Sequence, residues 1–198
     1  MRILVIDDKN LNIGSARDFL LPLGHDVVIC KSYFSAVQFL TTQQFDVVLT
    51  DIMMPANCDG LNGEAQWALF GTGSYITDRE TAPKPGTPEV PYGFTLGILA
   101  AMRGAKYVGF VSNTDHHADP LSWSLDQISV KAPYGGDERE LITINGAKCG
   151  FFVGGCCPQI DDEKNYPYVG SEADPYGHEK WVNRPKDWLA VLTKLLGE

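Results

Sequence analysis

Residues 2–8 read Arg-Ile-Leu-Val-Ile-Asp-Asp, and this stretch decides the fold. The four residues 3–6 are all apolar, and three of them are β-branched. Such a run is typical of a short strand that is buried on both faces. Strands of that kind occur in parallel sheets covered by helices. The stretch therefore predicts a first strand, with Asp7 and Asp8 at its carboxyl end.

The following residues alternate between helical and strand patterns. Apolar residues at helical spacing over 10–23 predict a helix that ends at Gly24, and residues 26–30 predict a second strand. Ser32 is a suitable cap for a second helix, and the apolar run 46–50 predicts a third strand ending at Asp51. This β-α-β-α-β order predicts right-handed crossovers and a parallel sheet.

Two insertions interrupt the alternation. Residues 56–91, after strand three, are rich in glycine and proline, and a segment of this length inside a compact domain is commonly functional. A helix over 94–102, a fourth strand over 107–112 and a fifth over 128–131 are predicted next. Residues 134–184 form the second insertion. Because both begin after the carboxyl end of a strand, we expect both at the same rim, as a lid or a partner-binding surface.

The second insertion contains one clear element, a β-hairpin over residues 141–153. Its predicted strands flank Asn145-Gly146, a dipeptide typical of tight hairpin turns. The apolar strand after Lys148 is an alternative fifth strand, although Gly154-Gly155 then stands where a lysine would be expected. With a final helix over 187–196, the whole chain is predicted to be one α/β domain, a doubly wound five-stranded parallel sheet with an extra hairpin.

Composition narrows the function classes. The formal net charge of −9 opposes binding to nucleic acid or to anionic membranes. No apolar run approaches the roughly 20 residues of a membrane helix. Five cysteines, an odd number at irregular spacing, do not form a disulfide framework. With an acidic start that does not fit a signal peptide, these features favour a cytoplasmic protein.

The carboxyl ends of the predicted strands bring together residues that are distant in sequence. Ligands bind at this rim in open parallel sheets. The residues expected there are Asp7, Asp8, Asp51, Ser112 and Lys131. Neighbouring carboxylates repel one another unless a cation is present, and Mg²⁺ suits a few carboxylates while keeping positions for a phosphate ligand.

Such a site can form an aspartyl phosphate. Asp51 is the candidate nucleophile because it lies centrally, next to the switch point of the sheet. Lys131 would pair with the phosphoryl oxygens, and Ser112 would donate a hydrogen bond to them. Thr114 is an alternative source of that hydroxyl group.

These residues also carry a family resemblance. Segments 3–8, 46–55, 111–112 and 130–133 resemble the four signatures of bacterial response-regulator receiver domains. The resemblance extends over residues 1–55, 92–132 and the final helix. It implies a flavodoxin-like strand order of 2-1-3-4-5. It also implies that Asp8, Asp51 and the main-chain carbonyl of Met53 ligate Mg²⁺, with Asp7 assisting through water.

The resemblance implies a stand-alone phosphoacceptor. The phosphoryl group would come from a histidine kinase or a small phosphodonor, and an unknown downstream protein would sense the phosphorylated state. Three departures from the family pattern concern output. Ala132 separates Lys131 from Pro133, Ile128 replaces the usual aromatic residue, and the two insertions have no counterpart in ordinary receivers.

Other interpretations stay open. A metal-dependent phosphatase or hydrolase could use the acids with His116 and His117, and a pseudo-receiver would bind partners without phosphorylation. Cys149, Cys156, Cys157 and His178 match no standard zinc spacing. A flavin mononucleotide site is disfavoured, because the loop after strand one begins with two aspartates instead of phosphate-binding glycines and hydroxyls.

Overall fold

The computed structural model describes residues 1–56, 89–113, 120–131, 137–161 and 184–197. Several residues considered above lie outside this part, including Thr114, His116, His117 and His178. Most of the first insertion and about half of the second lie outside it as well.

The described elements alternate as expected for an α/β protein. The strands are β1 (Arg2–Ile6), β2 (Asp26–Cys30), β3 (Val47–Asp51), β4 (Met54–Pro55), β5 (Glu89–Val90), β6 (Tyr107–Ser112), β7 (Ile142–Ile144) and β8 (Ala147–Val153). The helices are α1 (Asn10–Leu20), α2 (Tyr33–Thr42), α3 (Tyr92–Met102), α4 (Pro120–Leu125) and α5 (Trp188–Leu196). Short 3₁₀ turns cover Leu21–Leu23, Asp126–Ile128 and Gly154–Cys156.

The central sheet has the order β2-β1-β3-β6-β8-β7. The first five strands in this order are parallel, and β7 pairs antiparallel with β8 at the edge. The doubly wound α/β fold and the parallel order 2-1-3-4-5 are thereby confirmed. The predicted hairpin is present, with Asn145 at φ 48° and Gly146 at φ 86° in its turn.

Helices cover both faces of the sheet, which explains the continuous apolar strands. On one face, α1 and α5 pack against residues such as Ile3, Val5 and Leu49. On the other face, α2 and α3 pack against Leu4 and Ile6. Successive residues of β1 thus point to opposite layers, and Ile3–Ile6 are fully buried.

The position predicted for strand five was wrong. The fifth parallel strand is β8, which pairs with β6 from Tyr107↔Lys148 to Ser112↔Val153. The segment 128–131 forms no strand of this sheet, and its contact with β8 is the isolated parallel bridge Ser129↔Phe151. β8 is the longer apolar run, with six of its seven residues buried, and burial favours it for the interior of the sheet. The hairpin is therefore part of the main sheet, and the extra strand is β7 alone.

The described ends of the first insertion are joined by a short ladder. β4 and β5 pair antiparallel, with Met54 opposite Val90 and Pro55 opposite Glu89. This ladder lies at the end of β3, close to Asp51. It places the start of α3 directly after the insertion and against the same end of the sheet.

Among the residues that the structure describes, no helix combines the length and the apolar composition needed to cross a membrane.

Candidate functional site

Three aspartates meet at the carboxyl ends of β1 and β3. Asp7, Asp8 and Asp51 each offer a carboxylate oxygen, and these oxygens lie within 4.8 Å of one another. The pairing of Ile6 with Thr50 places both strand ends at the same level. Asp7 and Asp51 are buried, whereas Asp8 is half-buried. The expected convergence of these three side chains is present.

The ammonium group beside these acids belongs to Lys186. Its Nζ lies 2.8 Å from Asp7 Oδ2 and 2.8 Å from Asp51 Oδ2. The Lys186 side chain is fully buried. An ammonium at this distance from two carboxylates offsets part of their mutual repulsion.

Lys186 reaches the site on a segment that precedes the final helix. Residues 185–187 run antiparallel to residues 158–160, with a bridge between Gln159 and Lys186. The Ile160 N–H donates to the Pro185 carbonyl, and the Asp187 N–H donates to the Pro158 carbonyl, each at 2.9 Å. This pairing joins the chain after β8 to the start of α5, so the lysine enters from the last loop.

Helix α1 holds both sides of this ion pair. Asn12 Nδ2 donates to both oxygens of Asp7, at 3.0 and 2.9 Å, and Asn12 Oδ1 accepts from the Lys186 N–H at 3.0 Å. Ser15 Oγ donates to the Lys186 carbonyl at 2.8 Å, and Trp188 Nε1 donates to the Asn12 carbonyl at 2.8 Å. These contacts are buried, where hydrogen bonds are strongest.

One acceptor atom at this site has no donor. Asp8 Oδ1 is buried, and within the described part of the chain no hydrogen-bond donor reaches it. A buried carboxylate oxygen without a partner is costly, and a hard divalent cation would satisfy it. On the Asp51 carboxylate, Oδ2 contacts Lys186, whereas Oδ1 accepts a long 3.3 Å bond from the Met53 N–H. The donor set therefore fits an oxygen-ligated cation.

Burial controls the electrostatics of the site. It raises the pKa of Asp51 to about 7, with Lys186 opposing the shift and Asp7 adding to it. Burial also raises the pKa of Asp8, with Asp7 contributing through like-charge repulsion. For Lys186 burial acts downward, but Asp51 and Asp7 prevail and raise its pKa above the ordinary value. Lys186 therefore stays an ammonium, and ionisation of Asp51 above about pH 7 adds negative charge that a cation would neutralise.

The start of α3 packs directly onto the end of β3. The Gly93 N–H donates to the Ile52 carbonyl at 3.1 Å, and a Cβ at Gly93 would lie 1.6 Å from the Asp51 carbonyl oxygen. Only a residue without a side chain allows this approach. Gly93 thus fixes the main chain on which Asp51 lies.

Ser112 ends β6, the strand next to β3, and its side chain is buried. Asp51 is in register with Val111, so Ser112 follows one residue beyond that pair. The structure therefore places Ser112 at the same rim as the acids. Met53 is half-buried two residues after Asp51.

The structure does not bring Lys131 to the acids. Lys131 is exposed, and its main chain bridges to Glu138 while its carbonyl accepts from Cys156 Sγ. The role predicted for Lys131 depended on the position predicted for strand five, because the lysine was expected directly at the end of that strand. Lys186 was missed. The available signal was weak, a lysine between Pro185 and the start of the final helix.

The four cysteines that the structure describes do not join this site as ligands. Across the described ranges, the three aspartates are the one group of three or more candidate metal ligands. Burial raises the pKa of Cys157 to about 12 and that of Cys149 to about 11. Both thiols therefore stay protonated, as buried structural cysteines do.

Comparisons with known proteins agree with the geometry of the acid side. Residues 3–66 match the family model of the response regulator receiver domain. A probable histidine kinase 1 of Oryza sativa subsp. indica is 35% identical over 60 residues, and histidine kinase 5 of Arabidopsis thaliana is 33% identical over 60 residues. Each match covers 30% of this chain and 6% of the relative. The receiver resemblance is confirmed over this first third of the chain.

Proposed function

Because residues 3–66 match the response regulator receiver domain, we propose that this protein accepts a phosphoryl group on Asp51 in a Mg²⁺-dependent reaction. The observation that supports this most directly is the position of Lys186. A buried ammonium lies 2.8 Å from Asp51, and the neighbouring Asp8 offers a buried oxygen that no donor reaches among the residues that the structure describes. An aspartate between a cation site and a fixed ammonium is suited to phosphoryl transfer.

The residues act in distinct ways. A carboxylate oxygen of Asp51 attacks the phosphorus atom and forms the new P–O bond. The bond from phosphorus to the donor group breaks, and its electron pair leaves with the donor, an acetate ion in the case of acetyl phosphate. Lys186 remains protonated and donates to the phosphoryl oxygens. The Ser112 hydroxyl donates to them from the end of β6.

The cation would be held by Asp8, Asp51 and the main-chain carbonyl of Met53, with Asp7 assisting. When bound, Mg²⁺ neutralises charge on the carboxylates and on the phosphoryl oxygens. Asp7 accepts from Asn12, from the Lys9 N–H and from Lys186. Its role is thus to orient Lys186 and to keep negative charge beside the cation.

The donor class follows from the same chemistry. A phosphohistidine of a histidine kinase or a small acyl phosphate carries an activated phosphoryl group that a carboxylate can accept. We place the protein in the cytoplasm, where such kinases present their phosphohistidine, and we expect a protein partner to sense the phosphorylated state.

Intact mass measurement tests the proposal. The protein is incubated with Mg²⁺ and acetyl phosphate, and we expect a gain of about 80 Da, corresponding to one phosphoryl group. Asp51→Asn should abolish the gain. Asp46→Asn is the matched control, because Asp46 precedes the same strand at its opposite end. A gain that persists in Asp51→Asn would refute the assignment.

The same experiment separates the alternatives. Turnover of a phosphoester without an adduct would indicate a hydrolase. Absence of both, in a folded protein that binds Mg²⁺, would indicate a binding module.

A further inference from the structure

Lys186 is held by helix α1 more than by the sheet. Within the described chain, its main chain makes one bridge, to Gln159, and is otherwise fixed by side chains of α1. A lysine side chain loses much of its rotamer freedom when it is ordered, so its backbone must be well placed for Nζ to stay between two acids. The fixing residues on α1 therefore influence where the ammonium lies.

Asn12 is the residue that connects the two halves of the ion pair. Its amide nitrogen contacts both oxygens of Asp7, and its amide oxygen accepts from the Lys186 N–H. Its own carbonyl accepts from the Trp188 indole, which lies at the start of α5. Asn12 is 1% exposed, so no solvent replaces these partners if the side chain is removed.

We propose that Asn12 is a positioning residue for phosphoryl transfer, which aligns Lys186 with Asp51 by tying the lysine main chain to Asp7. This inference rests on the proposed phosphoacceptor function. Asn12 touches neither the donor nor Asp51 and acts through Lys186. It replaces the alignment that a strand would give to a lysine at its own carboxyl end.

A double-mutant cycle at saturating Mg²⁺ tests this role. Asn12→Ala should lower the maximal phosphorylation rate with acetyl phosphate by about tenfold, the usual effect of losing a supporting contact, with a smaller change in KM. In the Lys186→Met background, Asn12→Ala should cause no further loss, because the group it positions is gone. Equal fold-losses in both backgrounds would overturn the proposal.

A matched control separates positioning from stability. Ser129 is also fully buried and donates to a main-chain carbonyl, that of Phe151 at 2.9 Å. Ser129→Ala removes a comparable hydrogen bond without touching Lys186. We expect it to lower stability and leave the rate unchanged. An equal rate loss in Ser129→Ala would mean that Asn12 acts through general stability.

Amide hydrogen exchange at Lys186 tests the positioning without any phosphorylation. The Lys186 N–H, which donates to Asn12 Oδ1, should exchange faster in Asn12→Ala than in the wild type, and Ser129→Ala should change this exchange far less. If the wild type accepts no phosphoryl group but this pattern appears, the proposed function fails and the positioning role stands. If phosphorylation occurs and Lys186 exchange is insensitive to Asn12, the positioning role fails alone.

Discussion

The acid side and the lysine side of the site are built by different means. The acids come from the ends of two neighbouring parallel strands, within the segment that matches receiver domains. Lys186 is 179 residues from Asp7 and comes from the last loop, held by side chains of α1. On the acid side the ladder of the sheet sets the positions, and on the lysine side buried hydrogen bonds do.

The proposed phosphoryl transfer requires an ammonium group at a defined position beside Asp51. It does not require that the lysine lie on a particular strand. The end of β8, in register with the end of β6, is followed by Gly154 and Gly155. Another segment fills the position from the side of α1 and α5.

The largest expected effect concerns which lysine serves the reaction. Lys186→Met should lower the phosphorylation rate by about 10²–10³-fold, because a charge-stabilising donor is lost. Lys131→Met should leave the rate unchanged, since Lys131 is exposed and does not lie with the acids. Time courses of intact mass with acetyl phosphate measure both. A slow Lys131→Met and a normal Lys186→Met would reverse the comparison.

The stability of the metal-free protein should also depend on Lys186. Removing one partner from a buried ion pair typically costs about 3–5 kcal/mol, because the remaining charges stay buried and unpaired. Urea unfolding of Lys186→Met without metal should show a loss of this order, and added Mg²⁺ should restore part of it.

The exposed pair of Lys106 and Asp46 provides the control for this measurement. It lies just before the amino ends of β3 and β6, opposite the acids, with Nζ 2.9 Å from Asp46 Oδ1. Exposed pairs contribute little, so Lys106→Met should change stability far less. A larger loss in Lys106→Met would contradict the electrostatic account of the buried site.

The acid side was predictable from the sequence, and the lysine side was not. The apolar runs before Asp8 and Asp51 indicate where two strands end, and parallel pairing then brings those ends together. The positions of the acids therefore follow from local sequence patterns. Lys186 depends on a loop whose path is set by tertiary hydrogen bonds to Asn12 and Ser15. Local sequence patterns do not predict such contacts, because the contacts join residues that are 171 and 174 positions apart.

The error in strand five has a similar cause. Residues 128–131 and 147–153 both include residues with strand propensity, and only packing decides which segment enters the sheet. Phe110 and Phe151 stack with ring centroids 4.4 Å apart, and this contact favours β8 beside β6. Local propensity does not distinguish two such candidates.

A smaller effect is expected where the start of α3 packs onto the end of β3. Gly93→Ala would place a methyl group 1.6 Å from the Asp51 carbonyl oxygen, and the helix must shift to accept it. We expect a loss of about 1–3 kcal/mol in urea unfolding. In the control Gly14→Ala, on α1, nothing lies within 4 Å of the new Cβ, so stability should rise by about 0.5–1 kcal/mol. Equal effects of the two changes would argue against the close packing at Gly93.

The smallest expected effect separates the two sides by pH. With a pKa of about 7, Asp51 goes from mostly protonated at pH 6 to mostly ionised at pH 8, whereas Lys186, whose pKa is raised, stays charged throughout. Because protons compete with the cation for Asp51, Mg²⁺ should bind about tenfold more tightly at pH 8 than at pH 6.

Without metal, the pH dependence of folding stability has the opposite sign. The folded state holds the Asp51 proton more tightly than the unfolded state, so stability should fall as pH rises from about 4 to 7. Calorimetric titration with Mg²⁺ at both pH values measures the change in Mg²⁺ affinity. Asp46→Asn is a suitable control, since contacts with the Arg2 N–H and Lys106 lower the pKa of Asp46. Equal Mg²⁺ affinities at pH 6 and pH 8 would mean that Asp51 is already ionised at the lower pH, and that Lys186 outweighs burial on the acid side as well.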